Sequence, residues 1–385
     1  MGAMTPQEKP KGNLRELAHA ERDDYLKTLS NLVKLESPTH DKTANNRLAD
    51  HLQALLEEDG WQLERVPKAE VGDQLLAHFE APGDSSTLLL CHFDTVWKLG
   101  TLERMPLKEE DGKLYGPGTL DMKAGITTAI HAVRLARAND LTFKGPVALL
   151  LTSDEETGSL NSSELIEAEA VKHDRVLVLE PGKGDGALKV GRKGTGGFTV
   201  RFTGISSHAG NEPEAGASAL RELAHFIPFA EKLSDLEKGT TVNVTVAFGG
   251  STSNVIAEEA QCSIDLRVMK ATEAERVTQA LRAYEVNDER VSVEVLGGLN
   301  RPPLELTDAN KALFEEAQAA AGVWGLELTG AVVGGGSDGN FTSALGIPTL
   351  DGLGSVGIGP HARNEHVRIN ETLDRLALVT ALVTK

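Results

Sequence analysis

Apolar and polar positions follow two different rhythms along this chain. In the first half, short apolar runs at about 74–80, 87–93, 146–153 and 175–180 read as buried strands. Between them lie segments with helical spacing. Tyr25, Leu29, Leu32, Val33 and Leu35 predict a helix near 20–36, which SPTHDKT breaks. Leu48, Leu52, Leu55 and Leu56 share one face of a second helix, with Gly60 at its end. Further helices fall at 123–138 and 161–171. Strands alternating with helices predict an α/β domain. Near Gly191 the texture changes. GRKGTGGFTVRFTG is glycine-rich, then alternates Phe198, Val200 and Phe202 with polar residues, as a half-exposed antiparallel strand does. A helix (213–232), two strands (241–248, 260–269), a helix (272–284) and a strand (291–296) follow. This β-α-β-β-α-β order predicts a ferredoxin-like module. The α/β texture returns after Arg301, with a helix at 307–321, a strand at 347–350 and a last helix from about 370. The expected design is one domain, 1–190 with 304–385, interrupted by an inserted domain, 191–303.

Length and charge narrow the function. A chain of 385 residues is long for a single core and suits two domains. Its net charge of −18 repels phosphate backbones, so no nucleic-acid partner is expected. Two cysteines, Cys91 and Cys262, make no disulfide scaffold and fit a reducing compartment. Strand alternation turns Cys91 away from His92, toward a core. No apolar run could span a bilayer. The polar opening MGAMTPQEKPKGN lacks a secretory apolar stretch and reads as frayed, so the expected location is cytoplasmic, with no membrane partner.

The apolar runs carry the chemistry at their ends. His92 and Asp94 close LLLCHFDTV, Glu155 and Glu156 close ALLLTSDEETGS, and Glu180 closes RVLVLEPG. The C-terminal tips of strands are where open α/β sheets place ligands. Period two aims His92 and Asp94 at one face, so Asp94 is placed to receive the second ring N–H of a metal-bound His92. Asp121 follows the turn YGPGTL at a helix start, where it is either a cap or a carboxylate bridging two metals. Neighbouring side chains diverge, so one of Glu155 and Glu156 can bind metal while the other faces substrate. His361 lies in the glycine-proline loop GIGPHARNEH and is preferred as a ligand over Glu365 and His366. Each feature alone has a structural explanation: a capped histidine, a helix cap, an acidic pair at a helix start. Together, imidazole and hard oxygen ligands on successive strand tips suit a site for Zn²⁺, Co²⁺ or Mn²⁺.

HFDTV, GPGTLDMKAG, TSDEETGS, LEP and the late GGGSD with its following histidine resemble the zinc-dependent exopeptidase and deacylase family. That family includes glutamate carboxypeptidase (the carboxypeptidase G type), acetylornithine deacetylase, succinyl-diaminopimelate desuccinylase and aminoacylase. The resemblance covers nearly the whole chain. It implies a mixed-sheet zinc-exopeptidase catalytic domain with an inserted ferredoxin-like dimerisation (lid) domain. It implies two Zn²⁺ per subunit, with Co²⁺ or Mn²⁺ as substitutes. His92 and Glu180 would hold one ion, Glu156 and His361 the other, and Asp121 would bridge. Glu155 would be the general base, and Asp94 would orient His92. A cis peptide at Asp121-Met122 is implied as well. In the inserted domain the resemblance gives His208, acting across a homodimer, as oxyanion donor. It gives Asn254 and Arg267 as grips for the substrate carboxylate, and Gly335, Gly336 and Ser337 as pocket lining. Asp338 is expected to cap the next helix. Ala257 stands where relatives commonly carry proline.

HAGNEPEAGASAL and Glu180 resemble the glutamate carboxypeptidase branch. The implied reaction is cleavage of the amide to a C-terminal amino acid with a free carboxylate, in a small peptide or N-acyl amino acid. An N-acyl amino acid deacylase of the acetylornithine deacetylase kind, and then a dipeptidase, are the alternatives. A metal-free binding protein on the same scaffold would need lost ligands, and none is lost. A two-metal phosphoesterase fits the acidic ligands but not the overall negative charge.

Overall fold

The computed structural model describes residues 13–385. The expectation of a frayed polar start falls on residues outside that range, apart from Asn13. The chain packs into two compact units. The first runs to Val190 and takes in Leu306–Val332 and Ser337–Lys385; the second is Gly191–Glu305 with Val333–Gly336. Gly335 and Gly336 therefore group with the second unit and Ser337 with the first.

The first unit is α/β around a mixed six-stranded sheet. Its order is Gln62–Val66, Gln74–Phe79, Val147–Thr152, Thr87–His92, Arg175–Val178, Thr349–Leu350. The last four strands run parallel and the first two antiparallel. Central strands such as Thr87–His92 and Val147–Thr152 are buried along their whole length, which is why they read as unbroken apolar runs. Alternation splits the strand Thr87–His92 between two cores. Leu89 and Cys91 join the larger one, while Leu88 and Leu90 join the other. Burial raises the Cys91 thiol pKa, as suits a core residue rather than a nucleophile.

The helix expected near 20–36 is Arg22–Lys34, and a short helix that was not expected, Leu14–Ala20, precedes it across Glu21. The Asn13–Glu16 capping box starts that short helix. Helix Lys42–Glu58 ends before Gly60, whose φ of +84° marks the left-handed stop. Helix Ala124–Ala138 packs on the sheet so closely that a Cβ on Gly125 would sit 1.9 Å from the Leu179 carbonyl oxygen. One on Gly354 would sit 1.8 Å from the same atom. Glycine at these two positions lets both segments close around the residue before Glu180. A small second sheet, of Gly357–Ile358, His366–Arg368, Lys113–Tyr115 and Lys108–Glu110, was not expected from the sequence.

The second unit is a four-stranded antiparallel sheet in the order Thr241–Gly249, Glu259–Val268, Gly194–Thr203, Ser292–Arg301. Phe198, Val200 and Phe202 turn inward and pack with Leu223 and Phe226 of helix Ala219–Glu231 and Val277 of helix Ala271–Arg282. The predicted helix at 213–232 starts late. Pro213–Ala215 forms a single 3₁₀ turn, and the Ser218 hydroxyl caps the helix proper by accepting from the Arg221 N–H. No helix among the described residues is long and apolar enough to cross a membrane.

Candidate metal centre

Three strand ends and two turns of the first unit bring the five predicted ligands together. His92 is 1% exposed at the tip of its strand. Its Nε2 lies 3.3 Å from Asp121 Oδ1 and 3.3 Å from Glu180 Oε1. His361 approaches the other oxygen of the same aspartate. Its Nε2 lies 3.3 Å from Asp121 Oδ2 and 3.1 Å from Glu156 Oε2. Asp121 thus faces two ligand groups, His92–Asp121–Glu180 and Asp121–Glu156–His361. In each group the three ligand atoms lie within 4.8 Å of one another. His92 Nε2 and Asp121 Oδ1 are buried with no hydrogen-bond partner. Buried polar atoms seldom go without one. A cation shared by the imidazole and the carboxylates would satisfy both, and neutral imidazole with carboxylate is a donor set for Zn²⁺ or Mn²⁺.

The surrounding residues hold this set in place. Asp94 is fully buried, with Oδ1 3.3 Å from His92 Nδ1. It accepts from the Thr39 hydroxyl at 2.7 Å and from the backbone N–H groups of Glu155 and Glu156 at 3.2 and 3.3 Å. His92 Nδ1 also lies 3.1 Å from the Asp94 backbone carbonyl, so both polar groups of Asp94 face the ring, while its carboxylate ties down the turn that carries the two glutamates. Glu155 Oε2 stands 4.0 Å from His92 Nε2. Lys189 Nζ lies 3.8 Å from Glu180 Oε2. The Asp121-Met122 peptide is cis. His361 has φ of +59°, a conformation few non-glycine residues adopt, and this turns its ring toward Asp121 and Glu156.

Glu365 is a residue whose role sequence reasoning missed. It figured only as a rival ligand to His361. It is fully buried and accepts from the N–H groups of Gly118, Leu120 and Asp121 at 2.9, 3.0 and 3.1 Å, and from Trp97 Nε1 at 2.7 Å. It therefore holds the turn that presents Asp121. Burial pushes its pKa up to about 7 against the pull of those donors. The other rival, His366, packs in the small sheet against Tyr115, with ring centroids 4.8 Å apart. Asp338 does not cap the following helix as expected. Its carboxylate accepts from Thr152 Oγ1 at 3.0 Å and from the Ser159 hydroxyl. Ser337 is fully buried, and its hydroxyl donates to Asp351 Oδ2 at 2.6 Å.

The remaining predicted residues lie in the second unit. His208 is exposed, and its Nδ1 accepts from the N–H groups of Gly210 and Asn211 at 3.2 and 3.0 Å. A ring that accepts at Nδ1 carries its proton at Nε2 when neutral, so Nε2 is a donor. Asn254 is its neighbour, because the Asn254 carbonyl accepts from the Ala209 N–H at 2.9 Å. Arg267 is bound by Asp265 through Nε at 3.1 Å and Nη2 at 2.9 Å. Arg192 Nη1 donates to the carbonyls of Gly335 and Gly336 at 3.1 and 3.0 Å, which fixes that glycine loop.

The crowded carboxylates raise both ligand imidazoles. Hydrogen bonds that His361 donates to Asp121 and Glu156 push its pKa up to about 10. For His92, burial pulls the pKa down, but Asp121, Asp94 and Glu180 outweigh it and the net shift is upward. In the metal-free protein His361 contributes stability that is present below its unfolded value near 6.5 and lost as pH rises through about 10. Metal requires the neutral ring. Loading with Zn²⁺ at pH 8 is therefore expected to release protons from the two histidines. Calorimetry in buffers of different ionisation enthalpy measures this release, and a buffer-independent heat would contradict the protonated state.

Known proteins resemble this chain in sequence and in fold. Residues 88–385 match the family described as Peptidase family M20/M25/M40. The chain is 32% identical over 380 residues to carboxypeptidase G2 of Pseudomonas sp. (strain RS-16), covering 96% of this chain and 91% of that protein. It is 31% identical over 273 residues to acetylornithine deacetylase of Myxococcus xanthus, covering 66% and 69%. Its fold is similar to the crystal structure of aminopeptidase PepT from Bacillus cereus ATCC 10987, with a TM-score of 0.79 and 21% identity over 94% of this chain and 98% of that one. The chain belongs to the M20/M25/M40 peptidase family, and with it to the metal-dependent peptidases and amidohydrolases.

Proposed function

We propose that this protein is a two-metal carboxypeptidase that hydrolyses the amide bond to a C-terminal amino acid with a free carboxylate. The observation that carries the two-metal reading is Asp121, whose two oxygens each face a separate histidine-carboxylate group. The likeness to carboxypeptidase G2 across 96% of the chain supports the carboxypeptidase branch. Two Zn²⁺ held by His92, Glu180, Asp121, Glu156 and His361 would supply Lewis-acid polarisation of the amide carbonyl and acidify water toward a pKa of about 7. Glu155, beside the ligands but in neither group, takes the proton of the attacking water. Hydroxide adds to the amide carbon, the C–N bond breaks, and Glu155 passes the proton to the leaving nitrogen. A carboxylic acid and a free amino acid result.

His208 serves as oxyanion donor through Nε2–H, the tautomer set by the Gly210 and Asn211 amides. We place it across a homodimer formed by the second unit. Arg267 and Asn254 bind the substrate carboxylate; Asp265 holds the Arg267 fork by one edge and leaves Nη1 for the ligand. Gly335 and Gly336 shape the pocket around that group.

A mass-spectrometric hydrolysis screen tests the reading. The zinc-loaded protein is offered aroyl-amino acids, N-acetyl amino acids and dipeptides, each with a chelator control. Chelator-sensitive release of a C-terminal amino acid from aroyl compounds is the expected result. Turnover confined to N-acetyl compounds would move the chain to the deacylase branch that its likeness to acetylornithine deacetylase also supports.

A further inference from the structure

An acidic protein has a cavity lined without acid, built partly by chain that follows two of its metal ligands. The cavity, about 320 Å³, is lined by Val96, Trp97, Lys98, Thr101, Arg104, Met105 and Arg363. That volume falls at the lower end of the range for small-molecule sites. Part of its wall comes from two of the five segments that carry ligands. Val96 and Trp97 follow Asp94 in the chain, and Arg363 follows His361 by two residues. Trp97 is also wired to the metal turn, because its Nε1 donates to Glu365, which accepts from the Asp121 N–H.

The lining pairs apolar surface with positive charge. Val96 is 43% exposed, and Trp97 and Met105 are partly exposed beside it. Lys98, Arg104 and Arg363 are exposed, and among the described residues none of them has a carboxylate within 4.0 Å. Some surface cations elsewhere pair with acids, as Arg22 does with Glu109 and Lys108 with Glu110; what sets these three apart is that they line one cavity. Three cations left around one partly aromatic cavity form a site for a flat, negatively charged group.

We propose that this cavity takes the acyl half of the substrate and selects an aromatic acyl group bearing a carboxylate. The inference rests on the carboxypeptidase reading above and adds the identity of the group on the other side of the scissile bond. Trp97 and Met105 cover the ring, and Lys98, Arg104 and Arg363 bind its acid.

The test is a matched series with one C-terminal amino acid and three acyl groups: 4-carboxybenzoyl, benzoyl and acetyl. For the zinc-loaded protein, kcat/KM should fall in that order. In the double variant Lys98→Gln, Arg104→Gln, the ratio of 4-carboxybenzoyl to benzoyl should drop about tenfold, since two partly exposed charge contacts together contribute about 1.4 kcal/mol. Arg363→Gln should lower the same ratio, and added salt should lower it for the native chain. If benzoyl and 4-carboxybenzoyl compounds are both cleaved but their ratio is the same in native and variant proteins, the cavity is not the acyl site and the carboxypeptidase reading stands. If no member of the series is cleaved, both fall.

Discussion

Glu155→Gln is expected to bind zinc as the native chain does and to lose about 10²–10⁴-fold in kcat, the range for removing a general base. The geometry separates these two effects. Glu155 belongs to neither ligand group, while its Oε2 reaches within 4.0 Å of His92 Nε2. Its backbone N–H is held by Asp94, so the amide should keep the turn intact. Glutamine matches glutamate in shape but cannot take a proton from water. Metal analysis and steady-state kinetics on the same preparation decide the matter. Native-like turnover would remove Glu155 from the mechanism, and loss of metal would make it a ligand.

Asp121→Ala is the second large effect. Asp121 is the one residue common to both ligand groups, so its loss should weaken both ions at once. Changes to residues outside the ligand shell cost metal sites about 10–100-fold in affinity, and a shared ligand should cost at least about 100-fold. Glu180→Ala and Glu156→Ala should each weaken one ion and spare the other. Zinc titration against a competing chelator measures the difference. The metal-free fold should lose the support that the Asp121 carboxylate gives to protonated His92 and His361, so the fold of Asp121→Ala is checked alongside the zinc titration. A variant that lost only one ion would break the bridging assignment.

The sequence revealed what local pattern can encode. His92 and Glu180 stand out because wholly apolar strands stop at them, and the ferredoxin-like order of the second unit follows from Phe198, Val200 and Phe202 alternating with polar residues. Asp121 was legible through its glycine turn. The parts that stayed hidden depend on long-range closure. Glu365 lies 244 residues from the Asp121 N–H that it accepts, and nothing near it in the chain signals that task. Strands such as Gly357–Ile358 and Lys108–Glu110 are too short to show a period. The commitment of Ser337 to Asp351 and of Asp338 to Thr152 and Ser159 could not be told from helix capping, since an Asp before a helix is the usual signature of a cap.

The most direct test of the central claim is an anomalous-scattering crystal structure of the zinc-saturated protein. The account predicts two peaks about 3.5–4 Å apart on either side of the Asp121 carboxylate, one beside His92 and Glu180 and the other beside Glu156 and His361. A single peak, or a pair that does not share Asp121, would contradict it.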